Sequence, residues 1–362
     1  MAGSTLEDTK HAAPALKPEG AHKSSRPSRV LVTGGGGFIG SHLSELLLGR
    51  GDEVTVIDDF STGRRENVDV VRRGAPAPER YRVIEGRGSD VLPSLSVGDF
   101  DCIYHLAAAV GVRLVVERPI HTIETNVHET SAVLRFAATG RVPILLASTS
   151  EVYGKGLRVP MHEDDDVVYG STSYSRWCYA ASKALDEYLA LAYHREHGLP
   201  AVVVRFFNTV GPRQVGEYGM VLPRFVEAAL EGRDLEVHGD GSQTRCFCDV
   251  RDVVGALPTM MESGRCVGRV LNVGRDEPIS IVELARLVIA TLGSRSAVRF
   301  VPYEAAFAAG FDDLKTRQPD LTRIREAIGF TPSIPLSKTI VDLAAEVSAR
   351  RRGPAREASC SN

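Results

Sequence analysis

The feature that most constrains this chain is Thr33-Gly34-Gly35-Gly36-Gly37-Phe38-Ile39-Gly40, set directly after the apolar run 29–33 (RVLVT). Such a run suits a strand buried on both faces of a parallel sheet. From Phe38 the apolar residues Ile39, Leu43, Leu46 and Leu47 recur at helical spacing, and Gly49 and Gly51 mark a helix end. Residues 53–57 (EVTVI) read as a second strand closed by Asp58 and Asp59. Strand, helix and strand in about thirty residues make a βαβ unit.

A glycine cluster alone predicts only a loop. Between a strand and a helix it has a chemical reading. Gly34 allows the tight turn, Gly37 lets the backbone approach a pyrophosphate, and Gly40 lets the helix pack near the sheet. Phe38 and Ile39 open the helix, whose free N–H groups and dipole favour phosphate. A carboxylate at the end of the second strand, from Asp58 or Asp59, accepts hydrogen bonds from ribose hydroxyls and repels a 2′-phosphate. The bland alternative for the pair is a solvated turn. The combination predicts NAD rather than NADP. Asp90, with Val91 beside it, follows the third strand and is expected near the adenine edge.

The rhythm continues. Strands are expected at 81–84, 102–106, 142–147 and 202–207, and helices at 120–138 and 175–197. Alternating β and α predict an α/β fold with a doubly wound parallel sheet. After Asn208 the rhythm breaks at Pro212, Gly216 and Gly219, residues 222–230 look helical, and short elements continue to Ala349. This region reads as a smaller lobe interleaved with the first.

Composition excludes some functions. Net charge is −3, so no basic field invites nucleic acid or an anionic membrane. No apolar run reaches the roughly 18 residues of a membrane span. Residues 1–28 are polar and lack the apolar core of a signal peptide, so a disordered tail and a cytoplasmic protein are expected. The six cysteines are scattered and read as free thiols of a reducing compartment. Cys246 and Cys248 form a CxC pair with no second pair at zinc-site spacing, so no metal is expected.

Two further constellations carry chemistry. Tyr179 and Lys183 stand at i and i+4 on the expected long helix and share one face. An ammonium beside a phenol favours phenolate, which predicts a Tyr179 pKa lowered toward neutrality and a general base for a sugar hydroxyl. The other is Ser148-Thr149-Ser150-Glu151-Val152-Tyr153-Gly154, directly after a strand. Ligands of doubly wound sheets sit at the carboxyl ends of strands, so its hydroxyls and carboxylate should face a pocket. The alternative is a helix N-cap cluster.

Together these constellations resemble the extended short-chain dehydrogenase/reductase family, in its nucleotide-sugar branch, over about residues 29 to 345. Further matching pieces are His105-Leu106-Ala107-Ala108, Asn126, Arg205-Phe206-Phe207-Asn208, Gly211-Pro212-Arg213, the stretch His238 to Arg245 and Arg317-Gln318-Pro319-Asp320. The resemblance implies a Rossmann-type domain at 29–208, a nucleotide-sugar-binding lobe at 209–349 and disordered tails at 1–28 and 350–362. It places Thr149, Tyr179 and Lys183 at the family's catalytic positions, with Tyr179 as base and Lys183 on the nicotinamide ribose. It puts Leu106, Ala107, Ala108 and Asn126 beside the cofactor. Asn208 would contact the sugar-nucleotide phosphates, backbone at Val237 and His238 the base, and Arg245 and Arg317 the diphosphate or sugar. Relatives pair as homodimers through long helices, which residues 174–197 and 120–138 supply here.

Members of this branch oxidise a sugar at C4 and differ in the fate of the resulting ketone: epimerisation, loss of water, or loss of carbon dioxide from a C6 carboxylate. Dehydratases carry adjacent Asp and Glu after the threonine, where this chain has Ser150 and Glu151. Thr149-Ser150-Glu151 is similar to the trio of the UDP-glucuronate decarboxylases. That likeness implies that Glu151 and Arg317 position a UDP-sugar ring and assist proton transfer at C5. The stretch 178–184 (CYAASKA) is nearer to many epimerases and dehydratases. A UDP-sugar 4-epimerase, a 4,6-dehydratase and a non-catalytic NAD-binding sensor therefore stand as alternatives.

Overall fold

The computed structural model describes residues 26–111, 115, 117–216, 220–302 and 315–352. Its centre is a sheet of seven parallel strands: β1 (Arg29–Thr33), β2 (Glu53–Asp58), β3 (Tyr81–Glu85), β4 (Cys102–His105), β5 (Ile144–Thr149), β6 (Ala201–Phe206) and, much later in the chain, Arg269–Val273. The spatial order is β3-β2-β1-β4-β5-β6 and then Arg269–Val273. Thr33 lies opposite both Ile57 of β2 and His105 of β4. The order reverses between β1 and β4, and the crevice there is where a doubly wound sheet takes its ligand.

Apolar strands need cover on both faces. On one face the helices Phe38–Gly49 and Val250–Glu262 bring Leu43, Leu47, Val253 and Leu257 onto Val30, Val32 and Val56. On the other, Pro119–Gly140 and Cys178–His197 bring Val133, Leu134 and Ala190 onto Leu31, Ile103 and Leu146.

A second core lies outside the sheet. Leu222 and Phe225 of helix Val221–Leu230 pack with Leu284 and Val288 of helix Ile281–Leu292, and with Ile340 and Leu343 of helix Leu336–Arg352. Val237 of strand Leu235–His238 joins them.

Position 208 is not a clean division of the chain. Helix Val250–Glu262 and strand Arg269–Val273 return to the first sheet, because Cys248, Val250 and Leu271 are fully buried in its core. The last helix runs through Arg350–Arg352, past the expected end of structure at 349. At the other end Arg26 is described, and its guanidinium donates to Asp101 at 2.8 Å. The remainder of both expected tails, and Cys360, lie outside the described residues. The described cysteines are all free. No described helix is long and apolar enough to cross a membrane.

Strand β5 is longer than its apolar run. It continues through Ser148 and Thr149, which pair with Arg205 and Phe206 of β6. Sheet pairing thus carries both hydroxyls to the strand's carboxyl end.

Candidate active site

A cavity of about 770 Å³ opens at the carboxyl ends of the strands and reaches the second core. Its floor is the glycine loop. Gly34 has φ +75°, and a Cβ there would lie 2.6 Å from the Ala107 nitrogen. A Cβ on Gly40 would lie 2.1 Å from the Gly34 carbonyl oxygen. Turn and helix therefore approach backbone to backbone. Gly37 caps helix Phe38–Gly49 with no side-chain hydrogen bond, which leaves the first N–H groups for a ligand. Gly34, Gly37, Phe38, Ile39 and Gly40 all line the cavity.

Asp58 and Asp59 line it too. Asp58 accepts the Gly36 N–H and the Phe60 N–H, each at 2.8 Å, so it also fastens the loop to the end of β2. Burial pushes its carboxyl up, against the pull of those bonds. Asp59 accepts the Ser61 N–H at 2.9 Å and stands 3.9 Å from the Arg87 guanidinium.

Leu106, Ala107 and Ala108 line the wall after β4. Three expected cofactor contacts are not among the lining residues. At Asp90 and Val91 the wall is formed instead by Gly86, Arg87 and Gly88, because Gly86, at φ +149°, turns the chain before the short helix Gly88–Val91 begins. Asn126 is buried and turned inward: it accepts the Ala109 N–H at 2.8 Å and donates to Ser182 at 3.2 Å. It ties the segment after β4 to helix Cys178–His197.

Thr149, Ser150, Glu151, Tyr179 and Lys183 share the next wall. A 3-10 turn, Ser150–Tyr153, follows β5, and Thr149 caps it by accepting the Glu151 N–H at 3.2 Å. The expected influence of Lys183 on Tyr179 is not found. Lys183 donates instead to Asp186 at 2.8 Å, with both side chains buried. Burial, and then the Glu151 charge, push the Tyr179 phenol above its ordinary range; a hydrogen bond with Thr149 pulls the other way.

Glu151 is gripped by two arginines. Arg176 donates at 3.0 Å and Arg317 at 3.5 Å. Burial alone would raise the carboxyl, but Arg317 and Arg176 outweigh it and hold it below the usual carboxylate range. Arg317 is placed by docking of its own segment: Met161 donates its N–H to the Gln318 carbonyl, and Asp320 to that of Met161, each at 2.8 Å. Arg176 was not legible as a site residue. Its one signal was a position three residues before Tyr179, in the 3-10 turn Ser175–Trp177 that leads into the same helix.

Asn208, His238 and Arg245 line the far end with Arg317. Asn208 has φ +31° and donates to the Cys246 carbonyl at 3.2 Å. Val237 does not line the cavity; its side chain alternates into the second core. Arg213 does, held by Glu45 at 2.5 Å with φ +68°. Its Gly-Pro-Arg context was visible, its place at the cavity was not.

A glycine cradle at the switch point of a parallel sheet, with a tyrosine and a lysine one helical turn apart, defines a Rossmann-type dinucleotide enzyme. The chain belongs to the NAD dependent epimerase/dehydratase family, which it matches over residues 30–274. It is 41% identical over 307 residues to a UDP-N-acetyl-alpha-D-glucosaminuronate decarboxylase of Bacillus cytotoxicus, covering 84% of this chain and 93% of the relative. It is 37% identical over 312 residues to UDP-glucuronic acid decarboxylase 1 of Danio rerio, covering 86% and 70%. Among solved structures it resembles a UDP-glucuronic acid 4-epimerase mutant from Bacillus cereus in complex with UDP-4-deoxy-4-fluoro-glucuronic acid and NAD. That match has a TM-score of 0.77 at 26% identity and covers 89% of this chain and 99% of that one.

Proposed function

We propose that the protein decarboxylates UDP-glucuronate to UDP-xylose or the UDP-4-keto-pentose. The observation that carries this reading is Glu151, ionised between Arg176 and Arg317 in the cavity that also holds Thr149 and Tyr179. Two guanidiniums in the cavity wall are a donor set that suits a sugar bearing a carboxylate better than a neutral hexose. Relatives at 41% and 37% identity carry decarboxylase names, and the epimerase neighbour is more distant.

NAD fits the cradle, since side chains at Gly34 or Gly40 would collide with backbone there. Gly34, Gly37, Phe38, Ile39 and Gly40 would hold its pyrophosphate, Asp58 and Asp59 its adenosine ribose, and Lys183 its nicotinamide ribose. When bound, NAD would supply the two-electron acceptor for C4 of the sugar and would return the same pair to the 4-ketone where UDP-xylose is the product.

Tyr179 takes the proton of the C4 hydroxyl in its phenolate form, which the Thr149 hydrogen bond favours and burial and Glu151 oppose. Once C4 is a ketone, the C6 carboxylate is β to it. The C5–C6 bond breaks, its electron pair moves toward the C4 oxygen, and carbon dioxide leaves. Glu151 is ionised, so its own part is to orient the ring and order the water that protonates C5; Arg317 steadies both. Asn208, His238 and Arg245 hold the UDP end, as does backbone at Val237.

The test is product mass after incubation with UDP-glucuronate. Loss of carbon dioxide supports the reading. An isomer of unchanged mass would make the protein an epimerase, and no turnover at all would leave a sensor. A second reading, decarboxylation of UDP-N-acetylglucosaminuronate, is favoured by the 41% identical relative; that sugar forms the second arm.

A second copy of the chain is the partner this reading takes. Ile120 is 71% exposed, Leu185 51% and Tyr188 65%, on the two long helices that pack together. Free thiols suit work in the cytoplasm.

A further inference from the structure

Glu151 and Arg317 meet from segments far apart in the chain, so something must set their register. Strand pairing with Thr244–Arg245, and a bond from the Gln318 amide to the Asp276 carbonyl, hold the segment that carries Arg317. Neither reaches the turn that carries Glu151. One side chain does. We propose that Asn272 is a positioning residue of the reaction: its amide ties the segment of Arg317 to the turn of Glu151 and so sets how closely guanidinium and carboxylate approach.

Asn272 lies on strand Arg269–Val273, opposite Arg205 of β6, and is fully buried. Its Oδ1 accepts the Tyr153 hydroxyl at 2.7 Å. Tyr153 closes the 3-10 turn Ser150–Tyr153, two residues after Glu151. Nδ2 of Asn272 donates to the Met161 carbonyl at 3.0 Å and to the Asp320 carbonyl at 3.1 Å. Asp320 follows Arg317 by three residues, and its N–H donates to the same Met161 carbonyl. One amide thus joins segments 119, 111 and 48 positions away from it.

The chemistry of the three partners requires an amide. Two carbonyls can only accept, so the NH2 group faces them, and the oxygen is left for a phenol that can donate. Burial pushes the Tyr153 phenol up to about 12, which keeps it a donor. An aspartate has no N–H for the carbonyls, and a serine has one O–H at most. The sheet itself has no use for this group. Leu271 and Val273 on either side are apolar and fully buried, and a polar side chain between them costs stability unless it is bonded. The Asn272 backbone is fixed too, its N–H donating to Oε1 of Glu163 at 2.8 Å.

Arg317 stands 3.5 Å from Glu151, the longer of the carboxylate's two guanidinium contacts. At that length a small displacement decides whether a hydrogen bond exists. Without the tie, Arg317 can retreat and burial then raises the Glu151 carboxyl. Arg176 remains as its cation, and Tyr179 is the other titratable group beside it. This rests on Glu151 and Arg317 acting on the sugar, as proposed above.

The test is Asn272→Ala in the NAD-loaded enzyme, with two readouts. The first is a carbon-13 carboxyl NMR titration of Glu151 without substrate, its signal assigned by its loss in Glu151→Gln. Wild-type Glu151 should stay ionised through the ordinary glutamate range. In the variant its midpoint should rise by about 1 unit, the low end of the effect of one opposite charge. The second is kcat with UDP-glucuronate, which should fall about 10–10²-fold while UDP affinity is unchanged. In a protein already carrying Arg317→Gln, adding Asn272→Ala should move neither readout further, because the effect runs through Arg317. If the alanine variant does not fold, Tyr153→Phe, which removes one hydroxyl from the same joint, is scored in the same way. An unmoved Glu151 titration, or a full additional loss on top of Arg317→Gln, would overturn the proposal and leave Asn272 a packing residue. The titration needs no substrate, so a wrong sugar would show in the rate alone.

Discussion

The guanidinium of Arg176 donates to the carboxylate of Glu151, Nη1 to Oε2 at 3.0 Å, and so joins the entrance of helix Cys178–His197 to the end of β5. With Arg317 on its other oxygen, Glu151 is the hinge of the charged wall. Glu151→Gln keeps the shape and removes the charge. Decarboxylation should slow by on the order of 10²-fold, the usual cost of one misplaced transition-state partner. UDP affinity, measured by calorimetry, should be nearly unchanged. Loss of UDP binding would mean that Glu151 serves the nucleotide and not the chemistry.

Tyr179→Phe removes one oxygen from a buried position. The rate should fall by about 10²–10⁴-fold. NAD should still co-purify, because the glycine cradle holds it without the phenol. Near-normal turnover would take Tyr179 out of the mechanism.

Gly40→Ala places a methyl 2.1 Å from the Gly34 carbonyl oxygen. The backbone cannot yield there without opening the turn. Destabilisation of about 1–3 kcal/mol is expected from overpacking, together with loss of bound NAD. Thermal melts and cofactor content measured on the same preparation check both.

Two buried histidines should make the fold acid-sensitive. Burial, then the charge of Arg213, holds His42 down at about 4, and His105 is held at about 3. An unfolded imidazole protonates near 6.5. Between about 6.5 and 4 the unfolded state therefore binds more protons, and stability falls as pH drops through that window. Each histidine contributes about 1.4 kcal/mol per pH unit there. In denaturant unfolding, His42→Gln should flatten the slope by about that amount; an unchanged slope would mean His42 is charged in the fold.

The exposed Leu185 and Tyr188 share helix Cys178–His197. Leu185→Glu with Tyr188→Glu should convert a dimer to a monomer in sedimentation, with little change in the monomer's fold. A wild-type monomer at micromolar concentration would remove the homodimer from the reading.

The sequence by itself determined the sheet and the cradle. Both arise from local rules: apolar runs of strand length, a 3.6-residue periodicity from Phe38, and glycines where a strand turns into a helix. Local rules also placed Tyr179 and Lys183 on one helix face and Thr149 at a strand end, whereas their meeting at one wall was what the family resemblance implied. Tertiary structure decided which charges meet. Glu151 and Arg317 are 166 positions apart, and only docking of the Gln318 segment on Met161 brings them together. Asn126, which the family resemblance put beside the cofactor, has its amide bonded to Ala109 and Ser182. The ammonium of Lys183 had two partners at helical spacing, Tyr179 at i−4 and Asp186 at i+3. The choice fell to burial, because a carboxylate taken out of water needs its counter-charge more than a phenol does.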